Sequence, residues 1–209
     1  EGLIANDITK IYGILNGTSN YILSSMDKYK LDYKDALIKA QKLGYAETNS
    51  TSDINGDDVA AKLKILTALS FNSFINNKSI LVEGIKSIDQ TDINNANHLG
   101  YKIKLVGVAE LSNNKITQRV HPALIKKNSY IAKINGVLHA VIAESKPVGQ
   151  SVLQGEGAGP GPTTSSLVSD LCSVMRGNIK FPFVISDKKR KVASFENINN
   201  KKFTVYLRL

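Results

Sequence analysis

The 209-residue chain carries 27 Lys and Arg against 18 Asp and Glu, a net charge of +9, with 42% apolar and 22% charged residues. This is enough chain for one large domain of ordinary globular composition. No apolar run reaches membrane-spanning length, no signal-peptide pattern opens the chain, and one cysteine excludes an internal disulfide framework and suits a cytoplasmic setting.

The positive charge is not the footprint of a nucleic-acid binder. Lysines are scattered and arginines number four. The one dense basic run, Lys188-Lys189-Arg190-Lys191, has no interleaved aromatics and reads as a solvated linker.

In chain order, Asn6-Asp7 caps a short element through Ile14. Tyr21, Ile22, Leu23 and Met26 form an apolar stripe at helical spacing. That helix is predicted to start at the Asn16-Gly17-Thr18 turn, with Thr18 or Ser19 as N-cap. A second helix is predicted over residues 33–43, with Ala36, Leu37 and Ala40 inward and Gly44 as its stop. A third runs over about residues 53–71, with Ala60, Leu63, Leu66, Ala68 and Leu69 facing in.

After Asn72 the pattern changes to strands over residues 80–88, 101–111, 116–120, 136–144 and 148–154. Asn113-Asn114 makes a tight hairpin turn, because asparagine tolerates positive φ. Residues 92–99 form a short helix between strands. Pro162 sits in the first turn of a last helix, residues 163–176, closed by Gly177. Helices, then a mostly antiparallel meander, then a helix, give an α+β fold: a mixed, mostly antiparallel sheet with helices on one face. Residues 187–202 are polar and basic, and residues 203–209 read as a strand. The expected division is a domain over 1–186 and a linker plus the first strand of another domain over 187–209, with both chain ends reading as cuts.

Three features carry chemistry. Gly155 to Thr163 follows a strand and opens a helix, so glycine backbone and the helix N-terminus can approach an anion. A tight strand–helix turn would have the same sequence, and the parallel unit of a dinucleotide fingerprint is absent. Asp58 and Lys62 stand i,i+4 on one helix face. An ordinary surface pair, at about 0.3–0.5 kcal/mol, would look the same. Asp53 reads as an N-cap, Asp57 as a first-turn acid, and Glu47 as a loop acid beside Tyr45. The functional alternative gathers Glu47, Asp58 and Lys62 around a small zwitterion. The carboxylates take its ammonium group, and the lysine exchanges a proton with its oxygen. His98, His121 and His139 lack metal-ligand spacing. Cys172, flanked by Leu171, Val174 and Met175, reads as a buried structural thiol.

Together these segments resemble homoserine dehydrogenase. Gly13-Ile14-Leu15-Asn16-Gly17-Thr18-Ser19-Asn20-Tyr21-Ile22-Leu23 is similar to the family's Gly-Ile-x-Asn-Gly-Thr-Thr-Asn-Tyr-Ile-Leu. Residues 40–62 resemble its Ala-x-x-x-Gly-Tyr-Ala-Glu…Asp-x-x-Gly-x-Asp-x-x-x-Lys segment. Residues 155–170 resemble its Gly-x-Gly-Ala-Gly…Pro-Thr-Ala-Ser…Asp segment. The resemblance spans about residues 1–186.

It implies NAD(P)-dependent interconversion of L-homoserine and L-aspartate 4-semialdehyde, toward threonine, isoleucine and methionine. It implies Lys62 and Asp58 as catalytic residues. Glu47, Asp53, Asp58 and Tyr45 would be substrate-binding. Asn16, Gly17, Thr18, Gly157, Gly159 and Thr163 would lie by an NADP or NAD cofactor, with no metal held by this segment. Most cofactor contacts, a second active-site lysine and a sodium site belong in the family to a nucleotide-binding domain upstream. A sheet-mediated homodimer is implied, with neither nucleic acid nor membrane as partner, and the strand alternation is expected to leave apolar residues such as Ile103, Leu105 or their neighbours on the sheet face that the helices do not cover. The final strand is similar to the start of an ACT-type regulatory domain. Thr48-Asn49-Ser50 departs from the family's x-Asp-Pro, and His139 stands where asparagine is common. Competing readings are another NAD(P)-dependent semialdehyde reductase, which through a thioester would need an exposed nucleophilic cysteine, and a non-enzymatic anion-binding module.

Overall fold

The computed structural model describes residues 2–73, 80–178, 194–196, 198 and 201–208. Its centre is a long antiparallel hairpin, β3 (Tyr101–Ser112) and β4 (Lys115–Lys126). The turn between them places Asn113 and Asn114 at φ of +50° and +59°. Strand β1 (Asp7–Ile14) pairs antiparallel with β3 and with β5 (Leu138–Lys146), which pairs in turn with β6 (Gly149–Glu156). The short β2 (Ile80–Val82) lies parallel to β4, and β7 (Ser194–Phe195) also pairs with β4. The order is β2-β4-β3-β1-β5-β6.

Helices α1 (Gly17–Tyr29), α2 (Tyr33–Lys42), α3 (Thr51–Asn55), α4 (Asp57–Phe71) and α5 (Gln90–His98) gather against one face of the sheet. The main core joins Ile22, Leu23 and Met26 of α1, Val59, Ala60 and Leu63 of α4, and Ile103, Leu105 and Ala109 of β3. Each fully buried aliphatic side chain contributes about 2 kcal/mol of transfer free energy. On the other face Ile14, Val106, Val108, Ala140 and Ile142 pack under Ile131 and Ile134. The α+β expectation, helices on one side of a mostly antiparallel sheet, is what the chain adopts.

Several expectations are corrected. Residues 203–208 form no strand, because among the described residues no neighbouring strand pairs with their backbone groups. Arg208 instead pairs with Asp89 and Asp92 at the start of α5. Ile103 and Leu105 do not lie on an open sheet face; both are buried on the helix side.

The third predicted helix is two helices. Gly56 takes φ +88° between α3 and α4, and a Cβ there would stand 3.1 Å from Val120 Cγ1. Asp53 therefore lies in the first turn of α3, whose capping position is Ser50. Leu69 is exposed, and Thr67 takes the inward position. The strand expected over 80–88 ends at Val82, while β4 runs six residues past its predicted end at Val120. Pro122 interrupts the propensity pattern there, yet it lies beyond the end of β2, on an unpaired edge where its missing N–H costs nothing. The N-cap of α1 is Asn16, not Thr18 or Ser19. Helix α6 (Pro160–Met175) has no buried residue, and Cys172 is only half-buried. Residues 179–193, 197, 199–200 and 209, and with them the expected boundary at 186 and most of the basic linker, lie outside the described residues.

Candidate active site

The site is built where β1 runs into α1. Asn16 is 4% exposed and uses its whole amide. Its Oδ1 accepts the backbone N–H of Ser19 at 2.8 Å, which caps α1. Its Nδ2 donates to Asp53 Oδ1 at 2.6 Å and to Asp58 Oδ2 at 2.9 Å. One buried amide thus ties the start of α1 to a carboxylate on α3 and another on α4.

Lys62 lies one turn along α4 from Asp58. Its Nζ donates to Asp58 Oδ2 at 2.8 Å and to the Leu15 carbonyl at 3.1 Å. Burial by itself would raise the Asp58 pKa. The hydrogen bonds from Asn16 and Lys62 and the lysine charge outweigh it and hold the carboxyl below its usual range. The ammonium is anchored on one side and still 44% exposed along its side chain, so it can reach a small molecule.

Both glycine segments meet this cluster through His139, which stands across from Gly155 in the β5–β6 pairing. A Cβ at Gly157 would land on the imidazole, and one at Gly17 would stand 3.4 Å from Nε2. His139 also feels the charges of Lys62 and Asp58. Sequence reasoning left His139 without a role, since its place between the loops comes from strand register and not from any local pattern.

Other expected residues sit differently. Thr18 commits its hydroxyl to the Tyr45 carbonyl at 2.6 Å, and the Tyr21 and Tyr45 rings lie 4.9 Å apart. These contacts fold the 44–50 loop back over the start of α1. Glu47 on that loop is exposed, and among the described residues it makes no ion pair with the cluster; its carbonyl accepts from Gln41. Gly159, at φ +116°, opens α6, whose N-terminus has no side-chain cap, and Thr163 is exposed on the first turn. The close approach at Gly17 and Gly157 is to Val137 and His139 of the chain itself, while the N-terminus of α6, with no side-chain cap, suits an anionic group. Among the described residues no group of three or more His, Cys, Asp or Glu could hold a metal ion, and no helix is long and apolar enough to cross a membrane.

Comparison with known proteins gives one answer. The family profile described as homoserine dehydrogenase matches residues 1–172. The homoserine dehydrogenase of Helicobacter pylori is 45% identical over 176 residues, covering 84% of this chain and 42% of that protein. That of Pseudomonas aeruginosa is 43% identical over 182 residues, covering 87% and 42%. Among solved structures, a homoserine dehydrogenase from Thiobacillus denitrificans superposes with TM-score 0.82 at 43% identity, over 87% of this chain and 42% of that one. A hyperthermophilic archaeal homoserine dehydrogenase mutant, solved in complex with NADPH, superposes with TM-score 0.69 at 26% identity, over 88% and 51%. The chain spans about 42% of the length of these curated relatives.

Proposed function

Because this chain belongs to the homoserine dehydrogenase family, we propose that it forms the substrate-binding and proton-transfer part of an enzyme interconverting L-homoserine and L-aspartate 4-semialdehyde with NAD or NADP. The observation that carries this reading is the Asp58–Lys62 pair, tied by Asn16 to Asp53 and set beside both glycine loops.

When bound, the nicotinamide supplies the hydride donor or acceptor. Gly17, Gly157, Gly159 and Thr163 are the residues of this chain that would lie against it. In the reductive direction Lys62 donates its proton to the aldehyde oxygen as negative charge develops there. In the oxidative direction the neutral amine form of Lys62 takes the proton from the hydroxyl and becomes the ammonium. Asp58 stays ionised through both, keeping the ammonium in place. Asp53, with one oxygen held by Asn16, and Glu47 on its exposed loop would receive the substrate ammonium, with Tyr45 forming the loop's anchor.

The nucleotide's adenine and ribose would be held by a further domain, and the exposed apolar side chains of α6, including Leu167, Leu171 and Met175, are available to pack against it. A cytoplasmic homodimer serving threonine, isoleucine and methionine synthesis completes the reading.

The test is direct. The intact protein is incubated with L-homoserine and either NAD or NADP, and the near-ultraviolet absorbance of the reduced nicotinamide is followed. Homoserine-dependent reduction is expected. Its absence with both cofactors, in a protein that binds nucleotide, would refute the reading.

A further inference from the structure

Resting on that functional reading, we propose that His139 is a positioning residue of this site: its neutral imidazole is wedged between the two glycine loops and seats them on the Asp58–Lys62 pair, so that protonating it lowers turnover.

Three observations converge. The ring packs against Gly157, where a Cβ would overlap it, and faces Gly17, where a Cβ would stand 3.4 Å from Nε2 and 3.0 Å from the Val137 carbonyl. The space at residue 157 is taken by the imidazole, so glycine is required there for want of room, although its φ is not in the left-handed region. Next, neither ring nitrogen has a hydrogen-bond partner among the described residues. Among the described residues the histidine that makes a ring hydrogen bond is His121, to the Pro122 carbonyl. Third, the charges bearing on His139 are those of the candidate chemistry. Helix α4 presents Asp58 and Lys62, the Asn16-Gly17-Thr18 turn is made of uncharged residues, and β6 contributes Glu156, which is exposed.

The sign of the coupling follows from these neighbours. Burial pulls the His139 pKa down from its usual value, the Lys62 charge adds to this, and Asp58 opposes it. The ring is therefore neutral at pH 7. When protonated, it places a second cation beside Lys62 and competes for the Asp58 carboxylate. The ammonium loses its anchor, and the charged ring no longer fits its half-buried seat between the loops.

The experiment uses the intact enzyme and two sets of variants. In the first, kcat/KM for L-aspartate 4-semialdehyde, the direction in which Lys62 acts in its protonated form and adds no acid limb of its own, is measured against pH for the wild type and His139→Asn, whose amide has similar reach but does not titrate. The wild type is expected to lose activity about tenfold per pH unit on an acid limb below the His139 pKa. His139→Asn is expected to lack that limb, whatever its plateau. An acid limb unchanged in His139→Asn would overturn the proposal.

The second set is the cycle of Gly157→Ala, His139→Ala and the double variant, read by kcat/KM and thermal midpoint. Gly157→Ala is expected to lower kcat/KM by about tenfold or more, with His139→Ala in the double variant recovering most of it, because the added methyl then has room. Strictly additive effects would also overturn the proposal. A wild type with no homoserine oxidation at any pH would count against the functional reading. The thermal midpoints of the cycle would still judge the His139–Gly157 contact.

Discussion

Asn16 Nδ2 donates to Asp58 Oδ2 at 2.9 Å, and the same carboxylate oxygen receives Lys62 Nζ at 2.8 Å. The buried amide therefore fixes the acceptor that fixes the ammonium. Asn16 also caps α1, so stability and site geometry are joined in one side chain. They can be separated. Asn16→Ser keeps a capping oxygen but loses the donor that bridges Asp53 and Asp58. Its thermal midpoint should stay near wild type, while kcat/KM for L-homoserine falls by about tenfold or more. Asn16→Ala should lose both, with about 1 kcal/mol of stability gone with the cap. Equal activity of Asn16→Ser and wild type would remove the bridge from the account.

Gly56 sets the angle between the helices that carry Asp53 and Asp58. At φ +88°, and with a Cβ meeting Val120 Cγ1 at 3.1 Å and Val82 Cγ1 at 3.2 Å, alanine is strained here twice over. Gly56→Ala should cost about 1–3 kcal/mol in denaturant unfolding. It should also raise KM for homoserine, since the two carboxylates no longer meet on Asn16. A fully stable Gly56→Ala with unchanged KM would show that the break between α3 and α4 does not matter to the site.

Away from the site, Lys104 is buried at 2% exposure, with its Nζ on the Ile134 carbonyl at 2.6 Å and on Asn20 and Asn135 at 3.0 Å. Burial pushes its pKa down to about 8 from an ordinary 10.5. Between those two pH values the unfolded chain holds the proton and the folded chain does not. The folded state thus gains stability from this residue as pH rises through about 8 toward 10.5, and carries the cost of a buried charge below it. Wild type should gain on the order of 1–3 kcal/mol relative to Lys104→Met between pH 7 and 10 in urea unfolding. Parallel pH profiles for the two proteins would contradict this.

Much of this was legible in the residues. The i,i+4 spacing of Asp58 and Lys62 placed them on one face, and Asn113-Asn114 announced the hairpin because few other residues adopt positive φ so readily. What escaped was set by distant parts of the chain. A glycine inside an apolar periodicity does not reveal that Val120 and Val82 crowd it into a helix break. Alternation along β3 showed that Ile103 and Leu105 share a face, but not which face the helices cover. The Asn16 side chain was expected beside a cofactor, and it turns inward because α3 and α4 bring two carboxylates to it. His139 acquires its position only through the pairing of β5 with β6.

The account rests most heavily on Lys62, and its removal is the most direct test. In the intact enzyme, with saturating cofactor and L-homoserine, kcat of Lys62→Ala should fall by about 10²-fold or more, the usual scale for losing a general acid–base group. The Kd for the nucleotide should stay unchanged, because the lysine addresses the substrate oxygen. A Lys62→Ala enzyme that keeps kcat within about twofold of wild type would mean that proton transfer lies elsewhere, and that the Asn16–Asp58–Lys62 cluster is an ordinary structural ion pair.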